Sequence, residues 1–351
     1  MNSGDFIKID YVGKIKESGE IFDITNEKDA RKEGVYKEGF KYGPVQGNTA
    51  LRSELAKQYP DAEPDDFVIT NGASEAIDLV LRAISIPNGK VLLPRPYYYS
   101  YPHNVKLASM TPAYYDLDEK GKIDIIVFKK AVKGCSAVVI NSPSNPTGTV
   151  QEVDTLKEIE QFCAREGIYI ISDEVYKDLI YVRENYLLHG PHVVTINSFS
   201  KTYAMCGLRV GYLYSKDRAL VEKVVEIKTH TAMNTSILAQ DMALAALQSP
   251  RSYVTEYVEI WKERRTLMYQ GLRALGLELW EPEGAFYCLP KFKDSGRVVS
   301  DLYYTYRIIT YDGAWFGAPG RVRFSYALDE SKIDEGLKRL QQFIETEYQS
   351  Y

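Results

Sequence analysis

Short, almost wholly apolar runs recur through the middle of the chain and alternate with segments of helical periodicity. They have the length of strands and read FVIT (67–70), KVLLP (90–94), AVVIN (137–141), IYIIS (168–172), HVVTINS (192–198) and VGYLYS (210–215). Because apolar residues occupy consecutive rather than alternate positions, these strands are predicted to be covered by helices on both faces. The pattern predicts a parallel or mostly parallel sheet.

Helical segments lie between and after these runs. One helix is predicted to begin near Ser74, another to cover TLKEIEQFCAREG (155–167), and a long helical stretch to run from about residue 217 to 275. Beyond it the pattern changes to WEPEGAFYCLPKF (280–292), WFGAPGRVRFSYAL (315–328) and an amphipathic tail. This change predicts a separate α+β region at the carboxyl end.

Composition limits the class of protein. A chain of 351 residues with 45% hydrophobic residues exceeds one ordinary core, which predicts two lobes or one large domain with an appendage. The net charge of -5 comes from 43 basic and 48 acidic residues without a basic block, so neither nucleic acid nor a membrane is an expected partner. The four cysteines form no CxxC pair, and we expect no metal site. Without a signal-like start or a run of about 20 apolar residues, the expected location is cytoplasmic.

Polar residues follow three of the predicted strands at the point where each strand ends. Asn145 lies in the loop after AVVIN, Asp173 and Tyr176 follow IYIIS, and Lys201 follows HVVTINS. In an α/β sheet the carboxyl ends of parallel strands meet at one edge, where ligands bind. We therefore expect these four side chains to face one crevice.

A second group of residues suits an anion. FVIT leads into Asn71, Gly72, Ala73 and Ser74 at a helix start, where free backbone N–H groups and a hydroxyl can bind a phosphate. Further donors are predicted from Ser198, Ser200 and Arg209. A phosphate site, a reactive amine and a carboxylate together are what pyridoxal phosphate (PLP) requires.

The order and spacing of these motifs resemble one family. NPTG, DEVY and SFSKTYAMCGLRVGY follow one another, with 28 residues from Asn145 to Asp173 and 28 more to Lys201. The chain resembles the fold-type I PLP-dependent aminotransferases of class I and II, of the aspartate or aromatic aminotransferase type, from about Tyr42 to Arg323.

The resemblance implies a fold and a division into domains. The fold is a three-layer α/β/α arrangement with a mostly parallel mixed sheet, plus a smaller α+β domain. Residues 36–275 would form the large PLP-binding domain, and residues 1–35 with 276–351 the small domain. SGEIFDIT (18–25) has no clear counterpart among the amino-terminal motifs of that family.

The resemblance also implies catalytic roles. Lys201 is expected to form the Schiff base with PLP and then to move the proton from the substrate Cα, which requires a lowered pKa. Asp173 is expected to pair with the pyridine nitrogen. Asn145 and Tyr176 are expected to donate hydrogen bonds to the phenolic oxygen.

Further residues are expected to bind the cofactor. The phosphate group would be held by Gly72, Ala73, Ser74, Ser198, Ser200 and Arg209. Tyr98 would stack on the ring, although a shift of one position would give this role to Tyr97 or Tyr99.

Two more expectations concern the partner subunit and the substrate. Tyr42, in YGPVQGNTALR, is expected to reach the phosphate of a neighbouring active site, which implies a homodimer. Arg323 is expected to bind the substrate α-carboxylate through a bidentate pair, together with Asn145, and Arg321 is the alternative two positions earlier.

The expected function is transamination between an amino acid and a 2-oxo acid by a ping-pong mechanism, with aspartate or an aromatic amino acid as donor. Alternatives within the family are a histidinol-phosphate aminotransferase, a C–S lyase or a decarboxylase. A PLP-binding regulator without turnover is a further alternative. A nucleotide-binding α/β protein is disfavoured because neither GxGxxG nor GxxxxGK[ST] follows a strand.

Overall fold

The computed structural model describes residues 12–14, 21–24, 42–181 and 185–348. The chain divides into two compact units, residues 1–43 and residues 44–351. In the first unit, strand β1 (Val12–Lys14) pairs antiparallel with β2 (Ile21–Ile24). The remainder of the segment 1–35, predicted to join the small domain, lies outside the described residues.

A seven-stranded sheet forms the centre of the second unit. Its strands are β3 (Phe67–Thr70), β4 (Lys90–Arg95), β5 (Thr111–Asp116), β6 (Ala137–Asn141), β7 (Tyr169–Asp173), β8 (Val193–Ser198) and β9 (Gly211–Tyr214). They lie in the order β3-β9-β8-β7-β6-β4-β5. The run from β8 to β5 is parallel, whereas β9 is antiparallel to both of its neighbours. The predicted mostly parallel mixed sheet is confirmed.

Helices precede, connect and follow these strands. They are α1 (Thr49–Ala56), α2 (Ala73–Ala83), α3 (Tyr101–Leu107), α4 (Ile125–Ala131), α5 (Val153–Glu166), α6 (Phe199–Thr202), α7 (Arg218–His230), α8 (Ile237–Gln248), α9 (Ser252–Ala274), α10 (Ser295–Tyr304) and α11 (Glu330–Thr346). The predicted long stretch from 217 to 275 is divided into α7, α8 and α9. The side chains of Asp217 and Ser236 cap the starts of α7 and α8, which fixes two of these boundaries.

Successive residues of a strand enter cores on opposite faces of the sheet. Val139 of β6 belongs to a core with α2, α3 and α7, whereas Val138 and Ile140 belong to a core with α4 and α5. Phe67 of β3 packs with α1 and α8 on the face opposite to Val68. Burial on both faces explains the consecutive apolar residues and gives the three-layer α/β/α arrangement.

Strand β5 is absent from the predicted set. It lies at the edge of the sheet and, among the described strands, pairs with β4 alone, and it contains Pro112 and the half-buried Tyr114. Proline is tolerated at an edge because one side of the strand needs no ladder hydrogen bonds. The edge position therefore accounts for a sequence without a strand-like pattern.

The carboxyl-terminal region has a sheet of its own. Strands β10 (Tyr287–Cys288), β12 (Val322–Ser325) and β11 (Tyr311–Asp312) pair antiparallel in that order. Its core includes Leu272 of α9, Leu302 of α10 and Leu340 of α11. This smaller α+β region agrees with the predicted fold class, while the domain boundaries at residues 35 and 275 stay predictions.

Candidate active site

A cavity of about 330 Å³ lies at the carboxyl edge of the central sheet. Strands β6, β7 and β8 all end there, and short connections carry their functional side chains onward. Many of the predicted site residues line this cavity, namely Ala73, Ser74, Tyr98, Asn145, Asp173, Tyr176, Ser198, Ser200, Lys201, Arg209 and Arg323. The topology thus brings together residues that are far apart in sequence.

Lys201 lies in α6, the four-residue helix that follows β8. Its ammonium group is 5.4 Å from the centre of the Phe286 ring and 6.0 Å from that of Tyr176. Burial lowers the pKa of Lys201, and the positive charges of Arg323 and Arg209 act in the same direction. Lys201 therefore loses its proton more readily than an exposed lysine, which favours nucleophilic and proton-transfer chemistry.

Asp173 is the last residue of β7 and is buried. Its Oδ2 accepts a hydrogen bond of 2.5 Å from the Tyr101 hydroxyl, and its Oδ1 accepts one from the Val175 backbone N–H. Burial raises the pKa of Asp173, against the effect of these two donors and of Lys201. Within the described chain, no cation lies close enough to form an ion pair with Asp173.

Three consecutive tyrosines differ in what they contact. Tyr98 and Tyr99 line the cavity, whereas Tyr97 packs against Tyr114 at 5.6 Å between ring centres. Tyr98 also contacts the edge of the Tyr101 ring, at 5.4 Å. The geometry favours Tyr98 or Tyr99 over Tyr97 as the ring-stacking residue.

Asn145 and Tyr176 are both buried beside the cavity. Asn145 Oδ1 accepts a hydrogen bond of 3.0 Å from Arg323, and the Asn145 backbone N–H donates to Asn141 Oδ1. The hydroxyls of Tyr176 and Tyr287 are 3.0 Å apart. These contacts fix the position of both predicted partners of the phenolic oxygen.

The first turn of α2 forms one end of the cavity. Gly72 precedes this helix with a φ of 80°, and a Cβ built there would lie 2.4 Å from Arg209 Nη2. A Cβ on Gly211 would lie 2.7 Å from the Gly72 carbonyl carbon, so β9 also approaches the turn closely. Only glycine fits at these two positions. Gly72 thus supports the wall behind Arg209 rather than lining the cavity itself.

Arg209 and two hydroxyls complete this end. Arg209 donates to the carbonyls of Cys206 and Asn71, at 3.0 and 3.3 Å, and has no carboxylate partner within the described residues. Ser198 Oγ is 2.7 Å from Ser200 Oγ and accepts the Ser200 backbone N–H. Backbone N–H groups, hydroxyls and a guanidinium without an acid are a donor set for a phosphate.

Arg323 lies at the opposite end, on β12. Its guanidinium is 4.6 Å from the centre of each of three rings, Tyr287, Tyr311 and Phe316. Its Nε is buried and has no hydrogen-bond partner in the part of the chain that the structure describes. Arg321 instead donates to the Leu289 carbonyl and stacks on Trp280, so Arg323 is the arginine at the cavity.

The profile of the family described as aminotransferase class I and II matches residues 17–340. The chain belongs to the class I and II aminotransferases. It is 32% identical over 330 residues to a probable aspartate/prephenate aminotransferase of Aquifex aeolicus, covering 87% of this chain and 84% of that protein. An aspartate aminotransferase of Bacillus subtilis is 30% identical, with the same coverage of both chains.

Solved structures of aminotransferases share the fold. A double mutant of Thermus thermophilus aspartate aminotransferase has a TM-score of 0.85 and 29% identity, over 90% of this chain and 86% of that one. Aspartate aminotransferase of Thermotoga maritima has a TM-score of 0.84 and 31% identity, over 91% and 86%. This aminotransferase is accordingly a PLP-dependent enzyme of fold type I.

The residues of the cavity fit PLP. Arg209, which has no acid partner among the described residues, lies beside the N-terminal turn of α2 and suits the phosphate. Asp173 is a buried carboxylate with no paired cation in the described part of the chain, and it suits a protonated ring nitrogen. Lys201 lines the same cavity and suits the aldehyde. Tyr42 belongs to the unit of residues 1–43, and its role in a partner's site stays a prediction.

Several residues of the site are absent from the predicted set. They are Ile77, Tyr101, Asn141, Val175, Cys206 and Tyr287. Tyr99, expected only as an alternative to Tyr98, lines the cavity together with it. Asn141 could have been found, because it is the polar residue that ends the apolar run AVVIN. Tyr101 and Tyr287 reach the cavity through packing of separate elements, and no local pattern marks them.

Proposed function

We propose that this aminotransferase transfers the amino group of aspartate or an aromatic amino acid to a 2-oxo acid in a ping-pong order. One observation carries the proposal: a single cavity places Lys201, with its lowered pKa, together with the buried Asp173 and two arginines that have no acid partner in the described chain. The first 2-oxo acid leaves before the second one binds.

Lys201 and Asp173 perform the central steps. PLP, when bound, supplies an electron-accepting ring that stabilises negative charge on the substrate Cα. Lys201, neutral when it is not attached to the cofactor, would take the proton from the substrate Cα and pass it to the C4′ carbon of the cofactor. Asp173 keeps a proton on the ring nitrogen, since its buried carboxylate gains a cationic partner there.

Arg323 and Asn145 orient the substrate. Within the described residues, the Arg323 guanidinium has a buried Nε without a partner, a hydrogen bond to Asn145 and no ion pair, so it can bind an α-carboxylate without first breaking one. Tyr176 and Asn145 fix the phenolic oxygen of the cofactor, while Ala73, Ser74, Ser198, Ser200 and Arg209 bind its phosphate.

The choice of donor rests on two facts. Similar proteins are named aspartate or aspartate/prephenate aminotransferases. Tyr99 and Tyr287 place aromatic rings on the cavity wall, which suits an aromatic side chain as well.

We also propose that the enzyme is a homodimer in which Tyr42 lies at the neighbouring active site, and sedimentation would test the dimer. The cytoplasmic location stays a prediction. No helix among the described residues is long and apolar enough to cross a membrane.

A spectral titration of the PLP-loaded enzyme with a panel of amino acids tests the function. Each productive donor bleaches the visible absorbance of the bound cofactor and releases its 2-oxo acid, even when no acceptor is present. Aspartate, phenylalanine and tyrosine are expected to react best. Release of sulfide or a thiol together with ammonia would identify a C–S lyase, and release of carbon dioxide would identify a decarboxylase.

Lys201→Ala is the decisive variant. It is expected to lower turnover by at least about 10⁴-fold, because both covalent attachment and proton transfer are lost. The visible absorbance of the attached cofactor is expected to disappear with it. Normal turnover by this variant would contradict the assignment.

A further inference from the structure

An ion pair between a fully buried lysine and a partly buried glutamate lies at the start of α2, near Arg209. Lys228 of α7 is fully buried, and its ammonium group is 3.0 and 3.1 Å from the two carboxylate oxygens of Glu75. Glu75 lies in the first turn of α2. Burial of a lysine is costly unless a specific partner compensates it, so this placement calls for a reason.

The pair is connected to the turn through Asn71. Glu75 Oε2 accepts hydrogen bonds from the backbone N–H and from the side-chain amide of Asn71, the latter at 3.1 Å. The Asn71 carbonyl in turn accepts from Arg209 Nη2. A chain of polar contacts therefore leads from Lys228 through Glu75 and Asn71 to the guanidinium at the cavity.

The charge of Glu75 creates a conflict at this place. Its carboxylate holds the peptide that precedes Gly72, yet it lies in the same helical turn whose N–H groups and neighbouring Arg209 suit a phosphate. A carboxylate without compensation would repel that phosphate through the poorly screening protein interior. Lys228, which does not line the cavity, offsets this charge.

We propose that Glu75 and Lys228 are positioning residues for the cofactor phosphate: Glu75 fixes the Asn71 peptide, and Lys228 cancels the repulsion that Glu75 would exert. The inference rests on the proposed phosphate site. It predicts a selective effect on phosphate binding, which an ion pair of purely structural importance would not have.

The experiment compares PLP with pyridoxal, which has the same ring and aldehyde but no phosphate. Cofactor-free protein is prepared from the purified full chain, and both dissociation constants are measured from the visible absorbance of the bound ligand. The ratio of the pyridoxal constant to the PLP constant is the phosphate preference. Inorganic phosphate, which should raise the Tm of the cofactor-free protein, provides a second readout.

The two single variants are expected to change the phosphate preference differently. Lys228→Met leaves Glu75 unpaired and should lower the phosphate preference about tenfold or more. Glu75→Gln keeps an acceptor for Asn71 but leaves a buried cation, so the preference should stay equal or rise. The double variant E75Q/K228M removes both charges and should return to near the wild-type preference.

A loss of PLP affinity in K228M that pyridoxal does not share supports the proposal. Equal losses for PLP and pyridoxal in K228M would make the pair merely structural and overturn the proposal. If K228M does not fold, a preference that falls about tenfold in E75Q or in E75Q/K228M overturns it as well. Arg209→Met is the matched control: an unchanged preference in that variant would show instead that the phosphate site itself is misplaced.

Discussion

The two ends of the active-site cavity each present an arginine, and the two arginines are held in opposite ways. Arg209 is exposed and is fixed by backbone carbonyls of Cys206 and Asn71. Arg323 lies among three aromatic rings, with one hydrogen bond to a side chain and a buried Nε that lacks a partner in the described residues.

This difference matches the ligands that we propose for the two ends. A phosphate that remains bound through many turnovers needs donors held rigidly in place, and backbone contacts provide this. A carboxylate that enters and leaves needs a cation that is only weakly hydrated and only weakly bound by the protein. Aromatic faces provide such surroundings, because they attract a guanidinium without saturating its N–H groups.

The largest effect is expected when the Arg323 guanidinium is removed, which tests whether the two arginines bind different ligands. Arg323→Met is expected to lower kcat/KM for every amino acid by about 10²- to 10³-fold, the scale for losing one partner of a desolvated charge pair. The affinity for PLP should change little. Half-reaction kinetics and a cofactor titration on the same preparation check both statements, and a parallel loss of PLP affinity would contradict the separation of the two ends.

Replacing Arg209 at the phosphate end should impair cofactor binding more than catalysis. Arg209→Met is expected to weaken PLP binding about 10- to 100-fold, as expected for hydrogen bonds to a charged group. At saturating PLP, kcat should fall much less than the affinity. Equilibrium dialysis of cofactor together with turnover at several PLP concentrations measures this, and a loss of kcat that excess PLP does not restore would argue against the assignment.

The sequence predicts the functional ends of β6, β7 and β8 well, because strands buried on both faces consist of consecutive apolar residues and stop at a polar one. Lys201, Asp173 and Asn145 could be placed at one edge for this reason. Strand β5 could not be predicted, since an edge position tolerates Pro112 and half-buried tyrosines.

The remaining site residues depend on packing between distant elements. Tyr287 meets Tyr176 across 111 positions of sequence, from a strand of two residues. Tyr101, the first residue of α3, reaches Asp173 at the end of β7 across 72 positions of sequence. The sequence predicts Arg323 rather than Arg321, but the rings around Arg323 belong to separate elements and periodicity does not reveal them.

Asp173 supplies the carboxylate of the cavity that contains both arginines, and its protonation can be tested separately. Burial raises the pKa of Asp173, so the folded protein without cofactor binds this proton more tightly than the unfolded chain does. The associated stability is present at acidic pH and is lost as pH rises through the folded-state pKa. An asparagine side chain does not titrate, so its contribution to stability does not change with pH.

Cofactor-free Asp173→Asn is therefore expected to gain in Tm relative to the wild type as pH rises from about 4 to neutrality. Thermal unfolding of both proteins across this range measures the difference. PLP should stabilise the wild type more than the variant, because only the carboxylate gains a cationic partner. A Tm difference that does not depend on pH would mean that Asp173 titrates normally.

The smallest effect is expected at Arg321, the matched control for Arg323 on the same stretch of chain. Arg321 donates to the Leu289 carbonyl and stacks on Trp280 at 4.0 Å, away from the cavity. Arg321→Met should cost about 1 kcal/mol of stability through the lost cation–π contact. Its kcat/KM should stay within about twofold of the wild type, since substrate binding uses the other arginine. If instead Arg321→Met impaired catalysis as strongly as Arg323→Met, the carboxylate would have to bind between the two side chains, and the contrast between the ends of the cavity would lose its basis.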